Sequence, residues 1–256
     1  MGFDRRSFMR GAAWAGAAAL GLLGRPSPAG PEAVRSADPV RVRVWCEGTA
    51  PRAVYPQDVD GVIGEALRRH RSLVVSQGRL TDPDAGLSDA DLDATDALIW
   101  WGRLRHDDLP EDRARAVVER VQAGRLGFVA LHASHASKPF RALMGTPCEP
   151  KAWREDGRSE RIAIKAPEHP MARGVAPFTI PRSVTYVEPF SVPPPEAVVL
   201  VSSWDDGETF RSGLTWTIGQ GRVAYFRPGH DGFPVLFHPA VRRVIANAAL
   251  WVAKRA

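Results

Sequence analysis

The first regular pattern in the chain is alternation. Arg41-Val42-Arg43-Val44-Trp45-Cys46 sets apolar side chains on every second position and stops at Glu47-Gly48, which predicts a strand feeding a loop. From Gln57 to His70 the period lengthens, with Val59, Val62, Ile63, Ala66 and Leu67 on one helical face. Leu73-Val74-Val75 predicts a second strand, Ser88 with Asp91 a helix-starting cap, and Asp96-Ala97-Leu98-Ile99-Trp100-Trp101-Gly102 a third strand ending in aromatics. Pro110 opens a helix that runs to Ala123 and closes at Gly124. The unbroken apolar run Gly127-Phe128-Val129-Ala130-Leu131 then reads as a strand buried on both faces, and it ends abruptly in His132-Ala133-Ser134-His135.

Strand and helix alternating in this way predict a doubly wound, mostly parallel sheet. The second half of the chain changes character. Residues 161–165, 184–190, 197–202, 211–218 and 222–227 read as strands with few helices between them, and Gly219-Gln220-Gly221 supplies a hairpin turn. A closing helix from Pro239 to Lys254 places Val241, Val244, Ile245, Ala248, Ala249 and Leu250 on one face. The expected fold class is α/β: one domain with a mostly parallel sheet and an antiparallel β extension.

At the start of the chain, Arg5 and Arg6 precede a small-residue apolar run from Gly11 to Gly24, the layout of a twin-arginine export signal. The run is too short and too rich in Ala and Gly for a membrane span. Residues 1–38 are therefore expected to be signal peptide and linker and residues 39–256 one domain, periplasmic or extracellular, touching the membrane only during export. The formal net charge is +5, but within residues 1–29 Arg5, Arg6, Arg10 and Arg25 against Asp4 account for +3 of it, which leaves +2 on the rest of the chain. No basic stripe interleaved with aromatics appears, so nucleic acid is not an expected partner. Two cysteines, Cys46 and Cys148, are too few for a disulfide scaffold, and their spacing does not say whether they meet.

Ligands of open α/β sheets bind beyond the carboxyl ends of the strands, where His132 and His135 fall. His106 follows Trp100-Trp101 and His230 follows Tyr225-Phe226 in the same way, whereas His70, His169 and His238 read as structural or exposed. Converging imidazoles suit acid–base work or a divalent, zinc-like metal on His132, His135 and His230. The H-x-x-H interval has no H-E-x-x-H helix or cysteine pair to support a metal. Ser134 occupies a strand-to-helix turn like that of a nucleophile elbow, without the glycines such a turn requires. Trp153-Arg154-Glu155 with Asp156 reads as a charged loop, while Phe210-Arg211-Ser212-Gly213 and Phe226-Arg227-Pro228-Gly229-His230 set arginines beside aromatics. Such clusters suit hydroxyl-rich ligands, with Trp100, Trp101, Trp204 or Trp216 available to cover an apolar sugar face. Against this, most of the eight tryptophans read as core.

The chain resembles the ThuA (trehalose utilisation) family. The resemblance is carried by Leu98-Ile99-Trp100-Trp101-Gly102 with His106, by Leu131-His132-Ala133-Ser134-His135 with Ser137-Lys138, and by Leu143-Met144-Gly145-Thr146. Trp153-Arg154-Glu155, Phe210-Arg211-Ser212-Gly213 and Tyr225-Phe226-Arg227-Pro228-Gly229-His230 complete six motifs in order. It implies a flavodoxin-like, class I glutamine amidotransferase-like fold without amidotransferase chemistry, since the His132–Ser134 turn stands at the elbow and both cysteines lie elsewhere. Family members often carry histidines after the first strand, in the first helix and after Trp-Trp-Gly. Here those places hold Cys46-Glu47-Gly48, Asp60 and Arg103, and Glu47 and Asp60 replace imidazole ligands only in part.

The resemblance further implies catabolism of trehalose-type disaccharides through 3-keto sugars, alongside a sugar 3-dehydrogenase. No nicotinamide fingerprint is present, so this protein would use the ketone and not make it. The expected enzyme removes the C2 proton of a 3-keto-glycoside and isomerises or cleaves it. Its base is His132 or His135, its acid Glu155 or His230, and its enolate stabiliser Arg211 or Arg227. Glu47, Trp101, His106, Ser134, Lys138 and Arg154, with the two arginines, complete the candidate substrate-binding set. The alternatives are an exported sugar-binding accessory protein without catalysis, and a serine or metal hydrolase of esters or amides.

Overall fold

The computed structural model describes residues 38–255, and the export signal read from the start of the chain lies outside them. Nine strands form one sheet: β1 (Val40–Cys46), β2 (Leu73–Arg79), β3 (Ala97–Trp101), β4 (Gly127–Leu131), β5 (Pro150–Ile164), β6 (Phe178–Phe190), β7 (Ala197–Ser203), β8 (Thr209–Ile218) and β9 (Gly221–Phe226). Their order is β2-β1-β3-β4-β9-β8-β7-β5-β6. The first five in that order are parallel neighbours and the rest pair antiparallel, so the mostly parallel sheet and its antiparallel extension are both present. Strand β9 is the seam, parallel to β4 and antiparallel to β8.

The helices are α1 (Asp58–Arg68), α2 (Asp89–Asp93), α3 (Glu111–Gln122), α4 (Lys138–Met144) and α5 (Pro239–Val252). Every residue of β3 and β4 is buried, as expected for central parallel strands covered on both faces. Trp45 and Trp100 stack with ring centroids 3.8 Å apart within this core. Gly127 opens β4 where a Cβ would stand 2.5 Å from the Val252 carbonyl oxygen, so only glycine lets α5 close against the strand.

One reading is corrected. Trp153, Arg154 and Glu155 lie in strand β5, which begins at Pro150, and not in a loop. Residues 150–159 are exposed or half-buried on both faces, and the β5–β6 register shifts three times, so no period of two in apolar residues marks the strand. Strand β6 is the free outer edge of the sheet and carries Pro181 and Pro189.

Candidate active site

Register lines up one row of residues. Cys46 sits opposite Trp101, Trp101 opposite Leu131, and Leu131 opposite Phe226, so the next residues, Glu47, Gly102, His132 and Arg227, leave the carboxyl ends of four parallel strands side by side. The β5–β6 ribbon closes the other side. Between them lies a cleft of about 240 Å³ whose walls include Arg103, His106, His132, His135, Glu155, Tyr186 and His230.

His132 takes a left-handed backbone, φ 53°, at the turn out of β4. That conformation is uncommon for a side chain of this size and is often found at functional sites. Its Nδ1 lies 3.0 Å from the Arg227 carbonyl oxygen. A carbonyl only accepts, so Nδ1 carries the proton and Nε2 keeps its lone pair. His230 is held the opposite way. Its Nδ1 accepts the Gly232 N–H at 2.9 Å, which leaves the proton of the neutral ring on Nε2, 3.1 Å from Glu155 Oε1. The two rings stand edge to face with centroids 5.1 Å apart. One imidazole thus offers a lone pair and its neighbour an N–H.

Glu155 also accepts from the Arg103 guanidinium, whose Nε lies 3.5 Å from the buried Asp231. The loop carrying Arg103 is fixed from below by Glu47, which accepts the N–H groups of Arg103 and Leu104 at 2.9 and 2.8 Å. The other Glu47 oxygen faces His106 Nδ1 at 3.4 Å. Gly102 leaves room for this approach, because a Cβ there would stand 2.7 Å from that oxygen and push the carboxylate aside.

The sequence model of the ThuA family, described as trehalose utilisation, matches residues 41–252. The chain belongs to the ThuA family. Among solved structures, a ThuA-like protein from Parabacteroides merdae ATCC 43184 aligns with TM-score 0.65 at 15% identity, covering 84% of this chain and 90% of that one. A ThuA-like protein from Bacteroides uniformis ATCC 8492 gives 0.63 at 16%, over 90% and 95% of the two chains. A glutamine amidotransferase from Thermotoga maritima gives 0.54 at 9%, over 84% and 98%, which places the ThuA domain in the amidotransferase-like fold. No curated protein sequence matches the chain.

Of the residues expected at the site of this ThuA domain, His106, His132, His135, Glu155 and His230 line the cleft. The others are engaged elsewhere. Ser134 is fully buried, accepting the Gly102 N–H at 2.9 Å and donating to the Trp100 carbonyl at 3.0 Å, so it ties β3 to β4 and presents no nucleophile. Trp101 is buried and donates to the Gly229 carbonyl, Lys138 reaches the carbonyls of Asp107 and Leu109, and Arg154 pairs with Asp206. Arg211 forks onto Glu188 at 2.9 and 3.1 Å. Arg227 is wholly buried against Glu160, bonded to the Val184 carbonyl at 2.7 Å and packed between the rings of Tyr186 and Trp204. Neither arginine expected to stabilise an enolate reaches the cleft; the guanidinium there belongs to Arg103. Tyr186 was equally unforeseen, although period two in β6 puts it on the face of Val184.

A zinc-like ion on His132, His135 and His230 does not fit this arrangement. The three rings do not bring a ligand atom each to within 4.8 Å of one another, and His135 Nε2 faces the Tyr186 hydroxyl at 3.4 Å. Among the described residues, the group with three ligand atoms within 4.8 Å of one another is Cys46, Asp58 and Asp60, which is off the cleft wall. Burial and the two carboxylates push the Cys46 thiol up, and Arg79 already clasps Asp60 at 3.0 Å. Cys46 and Cys148 are both free thiols.

Burial holds all four cleft imidazoles below their ordinary range: His132 far below, with His230 and Arg227 adding to the effect, His135 down to about 4, and His106 and His230 in the same direction against the pull of their carboxylates. Burial would raise Glu155, but the His230 hydrogen bond and the Arg103 charge bring it net below its usual value. Ionised carboxylate beside neutral imidazoles is the resting state near neutral pH.

A dependence of stability on pH follows. The unfolded chain binds protons on these histidines below about pH 6.5 while the folded chain does not, so stability is full above that value and falls as pH drops toward 4. His135 alone contributes about 3 kcal/mol across that window. Thermal melts of His135→Gln between pH 4 and 7 are expected to slope less steeply than wild type. Parallel slopes would remove His135 from the effect.

Proposed function

We propose that this ThuA-family protein acts on a 3-keto-glycoside, removing the C2 proton and then isomerising the sugar or cleaving its C1–O bond. The family description supports the sugar, and the adjacent imidazoles of opposite tautomer support the chemistry.

A ketone at C3 acidifies the C2 hydrogen. His132 Nε2, lone pair exposed and Nδ1–H braced by a backbone carbonyl, is placed to take it. The electron pair moves onto the C3 oxygen as an enolate. The His230 N–H and the Arg103 guanidinium, both beside Glu155, are the donors available to that oxygen. A neutral imidazole used as a hydrogen-bonding electrophile is an established enzymic device. His230 cannot hand over its Nε2 proton, since an imidazolate would result. Glu155, held ionised, has no proton to give. His132 is therefore also the acid: its acquired proton, exchangeable with solvent, goes back to C2, or to C3 while the O2 hydroxyl proton passes to the C3 oxygen and the 2-keto isomer forms, or to the C1 oxygen as the enolate collapses and that bond breaks. The low proton affinity of buried His132 favours the return step.

Proton NMR of the protein with 3-keto-trehalose in heavy water tests this. Deuterium at C2 or loss of the glycosidic linkage is expected. An unchanged spectrum across several 3-keto-glycosides, with binding retained by calorimetry, would overturn catalysis in favour of a sugar-binding accessory role.

A further inference from the structure

The described residues expose four large hydrophobic side chains, and two of them, Trp153 (57% exposed) and Leu104 (63%), are on this one cleft. The four tryptophans that sequence offered for sugar contact are all buried, leaving Trp153 as the exposed indole at the site. Both side chains sit on stiff backbone. The Leu104 N–H is bonded to buried Glu47, and Trp153 lies in register with Tyr186 across the β5–β6 pair, which puts their side chains on one face. The ion pair of their near neighbours Arg103 and Glu155 links the two walls. The cleft therefore grades from buried, hydrogen-bonding histidines to an exposed apolar mouth.

We infer that Trp153 and Leu104 form an outer subsite for the leaving-side ring of the glycoside, selective for an apolar, aryl-type aglycone. This rests on the glycoside reading above. The cleft, with Leu104 and Trp153 among its walls, has a volume of about 240 Å³, smaller than the roughly 300–1,000 Å³ of pockets that enclose drug-sized ligands, so a ligand of two rings is not enclosed and its second ring lies out at the exposed Trp153 and Leu104. There it meets an indole face and an isobutyl group. A flat apolar ring loses nothing against leucine, whereas a second sugar would turn hydroxyls toward the Leu104 side chain, which offers them no hydrogen bond. Paired exposed apolar groups at a polar cleft are the kind of patch that marks a binding surface.

The test is calorimetric titration of phenyl α-glucoside, methyl α-glucoside and phenol against wild type, Trp153→Ala and Trp153→Phe. The glucosides lack the C3 ketone, so they report binding without turnover. Wild type is expected to prefer the phenyl to the methyl glucoside by about five- to tenfold. Trp153→Ala should reduce the preference to within about twofold and Trp153→Phe should keep most of it. Leu104→Asp should weaken the phenyl compound selectively. Trp153 is exposed, so its variants remain folded, which circular dichroism checks. Equal binding of the two glucosides by wild type, or an undiminished preference in Trp153→Ala, would overturn the subsite. Phenol binding that disappears in Trp153→Ala, with neither glucoside bound, would uphold the subsite and overturn the sugar reading instead.

Discussion

His132→Asn is expected to lower kcat on a 3-keto-glycoside by about 10²- to 10⁴-fold, the contribution usual for a positioned general base, with the fold preserved. Asparagine is chosen because His132 sits at φ 53°, a left-handed conformation that asparagine tolerates well. An amide at this position retains a donor for the Arg227 carbonyl but has no lone pair basic enough to accept a carbon-bound proton. His132→Ala would mix the chemical loss with about 1–2 kcal/mol of backbone strain, so it is the poorer test. Turnover by NMR and melting by circular dichroism should separate sharply: rate lost, melting temperature within a few degrees. Turnover within about threefold of wild type would take His132 out of the proton transfer and leave the ionised Glu155 as the base.

The second large effect is on stability. Arg227 and Glu160 are both fully buried, and each is the other's counter-charge. Glu160→Gln or Arg227→Met leaves one charge buried and uncompensated, a change that costs about 3–5 kcal/mol. For a domain of this size that is a fall in melting temperature of about 6–20 °C. The pair Arg227→Met with Glu160→Leu should recover part of the loss, because the penalty comes from the orphaned charge more than from the missing attraction. Recovery should stay incomplete, since the guanidinium also holds the Val184 carbonyl and the Ser183 hydroxyl. A shift in melting temperature under about 3 °C for both single variants would show that the buried pair carries little of the stability.

The parallel half of the sheet was legible because its central strands β3 and β4 are buried on both faces and its helices on one, so periodicity and capping residues report them directly. Strand β5 was not, because a ribbon open on both faces needs no apolar alternation. The histidines could be placed because strand ends locate ligand sites in this kind of sheet. The arginines could not. Arg211 and Arg227 stand in aromatic-rich motifs, but their carboxylates, Glu188 and Glu160, lie 23 and 67 residues away in the chain, and only the folded sheet brings them together. Arg103 stood out only as a departure from the usual pattern after Trp-Trp-Gly, and its partner Glu155 is 52 residues distant. The tautomers depend on single backbone groups of Arg227 and Gly232, which no side-chain pattern encodes.

Carrying Glu155 over the cleft requires a long ribbon, and its outer strand β6 has no neighbour beyond it. Unpaired edges of that length are templates on which another chain can add a strand and start an aggregate. Pro181 and Pro189 take two N–H groups out of that edge, and Arg182 adds an exposed cation between them. An incoming strand would find an interrupted ladder and a buried-charge penalty. The molecule can thus extend an arm to build the second wall of its cleft without making that arm a seed for self-association.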